Sequence, residues 1–146
     1  MSSCLAKSIN EYFSLEGGVM PELKSLASCF PVADIAQTLR WYEEHLGFTG
    51  YGYPPDELYT FGIMIRDDIE IMLQRIGDYQ KPDLYDLRDG GGVWDAYIRM
   101  QGIKEFYETV KNQVEIMKPL EKAFYGAWQF EVRDLNGYVI VFSEPA

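Results

Sequence analysis

The chain holds one histidine, His45, and two cysteines, Cys4 and Cys29. A zinc site built from two or three imidazoles is therefore excluded within one chain, and there is no Cys-x-x-Cys pair. A Ser-His-Asp or Cys-His relay would have to run through His45. The surrounding pattern instead puts His45 near a helix end, where it meets the last carbonyls as a cation would. Two isolated cysteines make no disulfide framework, which fits a reducing, cytoplasmic setting.

Acids outnumber bases by 23 to 13, a formal charge of −10, and aromatic residues reach 15% of the chain. An acidic surface repels phosphate, which sets a nucleic-acid role aside. It attracts cations, so a basic ligand is one reading of the charge and plain solubility is the other. At 146 residues, 47% hydrophobic and 25% charged, the chain is one globular domain long enough to bury a core. No apolar run approaches the ~18 residues of a membrane span. The opening stretch MSSCLAKSINEYFSLEGG lacks the continuous apolar segment of a secretory signal.

The elements that must position any site fall into two similar halves. Residues 1–24 read as an N-terminal extension punctuated by Gly17-Gly18 and Pro21, with room for a short helix around Ile9 to Leu15. The first half then runs from a strand at Leu26 to Val32 into a helix. Asp34 is its N-cap, Ile35, Leu39, Tyr42 and Leu46 are its apolar face, and Gly47 ends it. Tyr51 to Pro55 is a loop or short strand, and Tyr59 to Ile65 and Ile69 to Arg75 pair through a turn at Arg66-Asp67-Asp68. The second half repeats this: a strand at Val93 to Met100, a helix carrying Ile103, Phe106, Tyr107 and Val110, and an irregular stretch, Met117 to Phe124, broken by Pro119. Strands at Trp128 to Arg133 and Tyr138 to Ser143 close it around Asn136-Gly137, a strong hairpin signal. Arg66-Asp67 and Arg133-Asp134 read as exposed hairpin-end charges. Residues 25–146 thus form one α+β domain of two β-α-β-β-β modules, about 25–76 and 93–146. The loop between them, 77–92, is long for a connector, and is either functional or a flexible linker.

This tandem pattern resembles the vicinal oxygen chelate superfamily, which includes glyoxalase I, extradiol dioxygenases, fosfomycin-resistance enzymes and bleomycin-resistance proteins. Pro31-Val32-Ala33-Asp34-Ile35 with Trp41-Tyr42 and Leu46-Gly47-Phe48 resembles the family's opening strand and helix. Ile69 to Gln74 resembles its fourth strand, and Phe130 to Tyr138 its closing hairpin, with Leu135 where the family usually has proline. The resemblance covers about residues 25–144 and implies curved mixed sheets around a cleft, and a homodimer. It also implies where a metal would be held: Ala27, Met72, Asp95 and Val141. Alanine and valine cannot ligate, methionine is a soft donor, and one carboxylate does not hold a catalytic ion. Within the superfamily this selects the bleomycin-resistance branch, whose members sequester a drug and catalyse nothing.

Strand alternation then names a cleft face. It holds Ala27, Cys29 and Pro31 on the first strand, Glu70, Met72 and Gln74 on the fourth, Asp95, Tyr97 and Arg99 on the fifth, and Val139, Val141 and Ser143 on the last. Tyr97 offers a stacking surface, and Asp95 and Glu70 suit a cationic group or an amine N–H. Trp128 or Phe130 adds aromatic surface, and Phe48, Tyr51 and Tyr53 lie where loops overhang. The bland alternatives are that Met72 and Val141 are core, that Asp95 pairs with Arg99, and that Trp41 and Tyr42 pack the helix. The expected function is metal-independent, cofactor-free binding of a cationic or aromatic small molecule, with Tyr97, Asp95, Met72, Gln74, Glu70, Arg99, Trp128, Phe48 and Val141 as the ligand-binding residues. The alternative is a glyoxalase-like lyase or isomerase with a rearranged metal site using Asp95, Glu70 and Gln74. A third possibility is a structural or regulatory module whose aromatics serve packing.

Overall fold

A computed structural model of the protein describes residues 18–146. The short helix expected near 9–15 and Cys4 lie outside the described residues, and 18–27 contain no helix or strand. The first half runs β1 (Ser28–Val32), α1 (Ile35–Leu46), β2 (Thr49–Tyr53), β3 (Phe61–Arg66) and β4 (Ile69–Arg75). The second runs β5 (Ala96–Arg99), α2 (Ile103–Val110), β6 (Glu115–Lys122), β7 (Trp128–Arg133) and β8 (Val139–Glu144). Each half makes a four-stranded mixed sheet, in the orders β1-β4-β3-β2 and β5-β8-β7-β6. The first and last strands of each half are parallel neighbours and the other pairs are antiparallel. The architecture is α+β, two β-α-β-β-β modules in tandem.

Local chemistry sets the limits of α1. The Asp34 side chain accepts the Gln37 N–H at 3.0 Å, filling one orphan donor of the first turn. Gly47 ends the helix at φ 72°, a left-handed conformation that glycine adopts without a Cβ clash. The capping of α2 is tertiary: the Glu144 carboxylate at the end of β8 accepts the N–H groups of Gly102 and Ile103, a negative charge at the positive end of the helix.

Each helix lies on one face of its own sheet. Glycines on β2 and β3 make room for it: a Cβ at Gly50 would meet Leu39, and one at Gly62 would lie 2.8 Å from Ile35 Cγ2. In the second module Phe106 and Tyr107 pack edge-on or tilted against Phe130 and Phe142. The two modules share one core, in which Phe30 of β1 stacks on Tyr138 at 4.1 Å between ring centroids. Polar contacts reinforce that junction. Tyr42 donates its hydroxyl to Asp134, Asn136 donates to the Thr38 hydroxyl at 2.9 Å, and Tyr138 donates to the Pro31 carbonyl.

Several sequence expectations are corrected here. Most of the stretch Met117 to Phe124 is strand: Met117 to Lys122 belong to β6, an edge strand whose register shifts between Lys118 and Glu121, around Pro119, where a missing N–H is tolerated, and Ala123 and Phe124 lie beyond it. Of the two readings of Tyr51 to Pro55, loop or short strand, the strand holds for Tyr51 to Tyr53, since β2 pairs with β3 from Thr49. The first strand begins at Ser28, not Leu26, and the fifth spans only Ala96–Arg99. Asp134 is not an exposed hairpin charge but is 5% exposed, folded back onto Tyr42 and two backbone N–H groups. Arg66 donates to the Leu46 carbonyl at 2.7 Å, satisfying the C-terminal end of α1. His45 does not serve that end; its Nδ1 meets Gln113 Oε1 at 3.1 Å.

Candidate functional site

Alternation divides each sheet into a helix face and an open face. On the open face of the first module, pairing lines up Cys29, Met72, Ile63 and Tyr51 across four strands. Glu70 and Gln74 are exposed on either side of the half-buried Met72. On the open face of the second module, Tyr97, Val141 and Glu131 form the matching row. Val139, Val141 and Ser143 on that face are buried, and Glu131 is only 1% exposed. The cover comes from the connector: the 77–92 segment folds back across this face rather than hanging free.

Four of its residues hold it there. Lys81 Nζ lies 3.4 Å from Asp95, in a largely buried pair, and 5.4 Å from the Tyr138 ring centroid. Asp83 meets Arg133 at 3.3 Å. Tyr85, at the start of a short 3₁₀ turn (Tyr85–Leu87), donates its hydroxyl to Glu131 Oε1 at 2.7 Å. Arg88 sits 5.1 Å over the Trp94 ring. Burial, followed by the bond to Glu131, pushes the Tyr85 phenol up to about 12.

Beyond the connector the face becomes aromatic. Trp94 lies 5.5 Å from Tyr97 between ring centroids, and the Arg99 guanidinium lies 5.2 Å over the Tyr97 ring. The hydroxyls of Tyr97 and Tyr125 are 3.3 Å apart, and Tyr125 donates to Gln129 Oε1. The Tyr97 bond, then burial, raises the Tyr125 phenol. The Asp95–Arg99 pair expected from spacing is not formed. Asp95 instead accepts the Val139 N–H at 2.8 Å and faces Lys81.

Other predicted residues lie elsewhere. Trp128 is on the helix face, with Lys104 of α2 4.6 Å over its ring, and Phe130 shares that face in the core. Phe48 is buried against Tyr42 and borders a groove of about 440 Å³ between the modules, where Arg66, Arg99 and Phe106 also contribute. Glu131 and Tyr85 are the residues that sequence reasoning passed over. The signal for Glu131 was present: once Trp128 and Phe130 face the helix, Gln129, Glu131 and Arg133 must not.

No protein-family sequence model and no curated protein sequence matches the chain. Solved structures do match. A glyoxalase-related enzyme from Clostridium phytofermentans superposes with a TM-score of 0.68 at 15% identity, over 86% of this chain and 98% of its own. A bleomycin resistance determinant encoded on the transposon Tn5 gives 0.65 at 17% identity, over 84% of this chain and 98% of its own. The bleomycin-binding protein of Streptomyces verticillus, complexed with copper(II)-bleomycin, gives 0.63 at 17% identity, over 87% of this chain and 100% of its own. The fold is that of the glyoxalase and bleomycin-resistance proteins.

The resemblance noted in the sequence implies that a metal would be sought at Ala27, Met72, Asp95 and Val141. The residues present do not fit a divalent ion. Val141 is buried and apolar, and Asp95 already serves Val139 and Lys81. Among the described residues no group of three or more His, Cys, Asp or Glu side chains is arranged to hold a metal. Nor is any helix among them long and apolar enough to cross a membrane.

Proposed function

We propose that the protein is a cytoplasmic homodimer that sequesters a cationic or aromatic small molecule against the open faces of its sheets, without a metal and without catalysing a reaction. The observation that carries this reading is the donor set. The four positions that would ligate a metal hold Ala27, Met72, Val141 and an already engaged Asp95, while the open face of the second module keeps an aromatic group around Tyr97. Such a surface holds a ring by stacking and orients it with a few polar atoms. Support also comes from the drug-bound state of the Streptomyces verticillus protein, whose fold this chain shares.

Titration with copper-free bleomycin tests the reading. Trp94 lies beside Tyr97, so binding there changes tryptophan emission, and Trp94→Phe removes that change. Saturation at micromolar drug is expected; the absence of any saturable change removes bleomycin as the ligand. A lyase with a rearranged metal site would draw on Glu70, Gln74 and Asp95. The expected melting temperature is the same with and without nickel or manganese, and a clear rise on adding either ion would favour the lyase.

A further inference from the structure

The open face of the second module is occupied by the protein's own Tyr85, and we propose that this ring stands where a planar aromatic cation binds, the ligand displacing the connector to reach Glu131. The inference rests on the small-molecule-binding reading above and names the subsite and the chemistry it selects.

Glu131 is the unusual feature. It is a carboxylate on a sheet, 1% exposed, and among the described residues no cationic group lies within ion-pair distance of it. Its hydrogen bond comes from the neutral Tyr85 hydroxyl. Arg133, two residues along the same face, is committed to Asp83 and Glu115 at 3.3 and 3.6 Å. Asp86 also acts on Tyr85, raising its phenol. The Arg133 guanidinium also lies 5.9 Å over the Tyr85 ring, where Asp83 and Glu115 answer its charge, and Glu131 and Asp86 are the carboxylates left acting on the phenol. The Tyr85 bond is already assisted by the carboxylate's charge but leaves that buried charge without a counter-ion, and a cationic donor supplies one in the same place. An amidinium or a protonated heteroaromatic amine supplies that charge on a flat ring that fits the place of the phenol.

The connector is anchored at Lys81, Asp83 and Arg88, and between and beyond those anchors the chain that carries Tyr85 is short and irregular. It is a single 3₁₀ turn, followed by Gly90 and Gly91 at φ 81° and 151°, with Leu84 and Leu87 exposed. The ring itself packs against Gly92, where a Cβ would come 2.1 Å from Tyr85 Cε2. Glycine at this position is what lets the ring seat. Gly92 does not have a positive φ, so alanine there is compatible with the backbone and acts by evicting the ring.

Benzamidine, a planar aromatic cation, is the probe, and calorimetry on the full chain is the measurement. Tyr85→Ala vacates the position and Gly92→Ala expels the ring while retaining it in the sequence. Both are expected to bind benzamidine about tenfold or more tightly than the unsubstituted protein, since an internal competitor lowers apparent affinity by the fraction of time it is seated. Adding Glu131→Gln to Tyr85→Ala should abolish that gain, and phenol should bind Tyr85→Ala at least tenfold more weakly than benzamidine does. Equal benzamidine affinity for the unsubstituted and both substituted proteins, or retention of binding by the Glu131→Gln double variant, overturns the proposal. Phenol binding as tightly as benzamidine overturns the choice of a cation. If the protein saturates with copper-free bleomycin while these comparisons fail, the subsite is wrong and the binding function stands. If bleomycin fails while Tyr85→Ala binds benzamidine through Glu131, the drug is wrong and the subsite stands. Thermal unfolding of each variant confirms that the fold is retained.

Discussion

Replacing Tyr42 by phenylalanine removes one oxygen from the junction between the two modules and leaves the ring packing intact. The hydroxyl donates to Asp134 Oδ2 at 2.5 Å, and neither residue reaches water to any useful degree. Burial holds the Asp134 carboxyl up, from 3.8 to about 6, against the lowering effect of the bond from Tyr42 and of the Tyr138 and Asn136 N–H groups. At pH 7.5 the group is ionised in the folded protein, and the lost bond is one to a charge, worth about 1.5–3 kcal/mol. At pH 5 it is protonated in the folded state, and the lost bond is a neutral one worth about 0.5–1.5 kcal/mol. The penalty of Tyr42→Phe is therefore expected to be about 1 kcal/mol or more larger at pH 7.5 than at pH 5. The linkage has the same sign in the unsubstituted protein. A carboxyl whose folded pKa is raised contributes stability that is fully present below about pH 4 and is lost as pH rises through about 6, a total of about 3 kcal/mol. In the variant that window extends to higher pH, because one of the interactions lowering the pKa is gone. Urea unfolding of both proteins at the two pH values measures the difference. Equal penalties at pH 5 and 7.5, or a loss under about 0.5 kcal/mol at pH 7.5, would refute the assignment of Asp134 as a buried, raised carboxyl that depends on Tyr42.

Three other outcomes follow from single contacts. Glu144→Ala strips the N-terminus of α2 of its acceptor, and should cost about 1 kcal/mol in thermal unfolding, with less effect in high salt. Gly52→Ala drives a methyl to within 2.4 Å of the Tyr59 ring, so a loss of about 1–3 kcal/mol is expected; an unchanged melting temperature would mean that β2 is not seated on Tyr59. Phe130→Ala opens a cavity among Phe106, Tyr107 and Phe142 and should cost about 3–5 kcal/mol by denaturant unfolding.

The elements were legible where their determinants are local. Asp34 and Gly47 bracket an amphipathic run, and each acts within four or five residues of itself, so the limits of α1 follow from the sequence. The hairpins at Asp67-Asp68 and Asn136-Gly137 are local in the same way. The order of strands and helices in each half, and its repetition, carried the fold. β6 was harder because Pro119 reads as a breaker, and only its place at the sheet edge makes it harmless. At the site, parity decided what was seen: alternation placed Met72, Tyr97 and Val141 on the open faces, but setting Trp128 and Phe130 toward the cleft hid Glu131.

The sequence by itself determined the β-α-β-β-β repeat, because residue type and spacing are all that this question needs; the positions Ala27, Met72, Asp95 and Val141 came from the family resemblance, and the sequence supplied only which residues stand there. The tertiary structure alone decided which groups meet across long separations. Tyr85 reaches Glu131 from 46 residues away, Tyr42 reaches Asp134 from 92, and Gly102 is capped by Glu144 from 42. Each of these pairs a carboxylate with a donor, buried at Asp134, part-buried at Glu131 and exposed at Gly102, and the energy of such a pair depends on burial and direction. Neither is a property of any short stretch of chain. The connector shows the difference plainly: as a sequence it is a polar, glycine-ended loop, and only the folded sheet turns it into a cover with a phenol on a carboxylate.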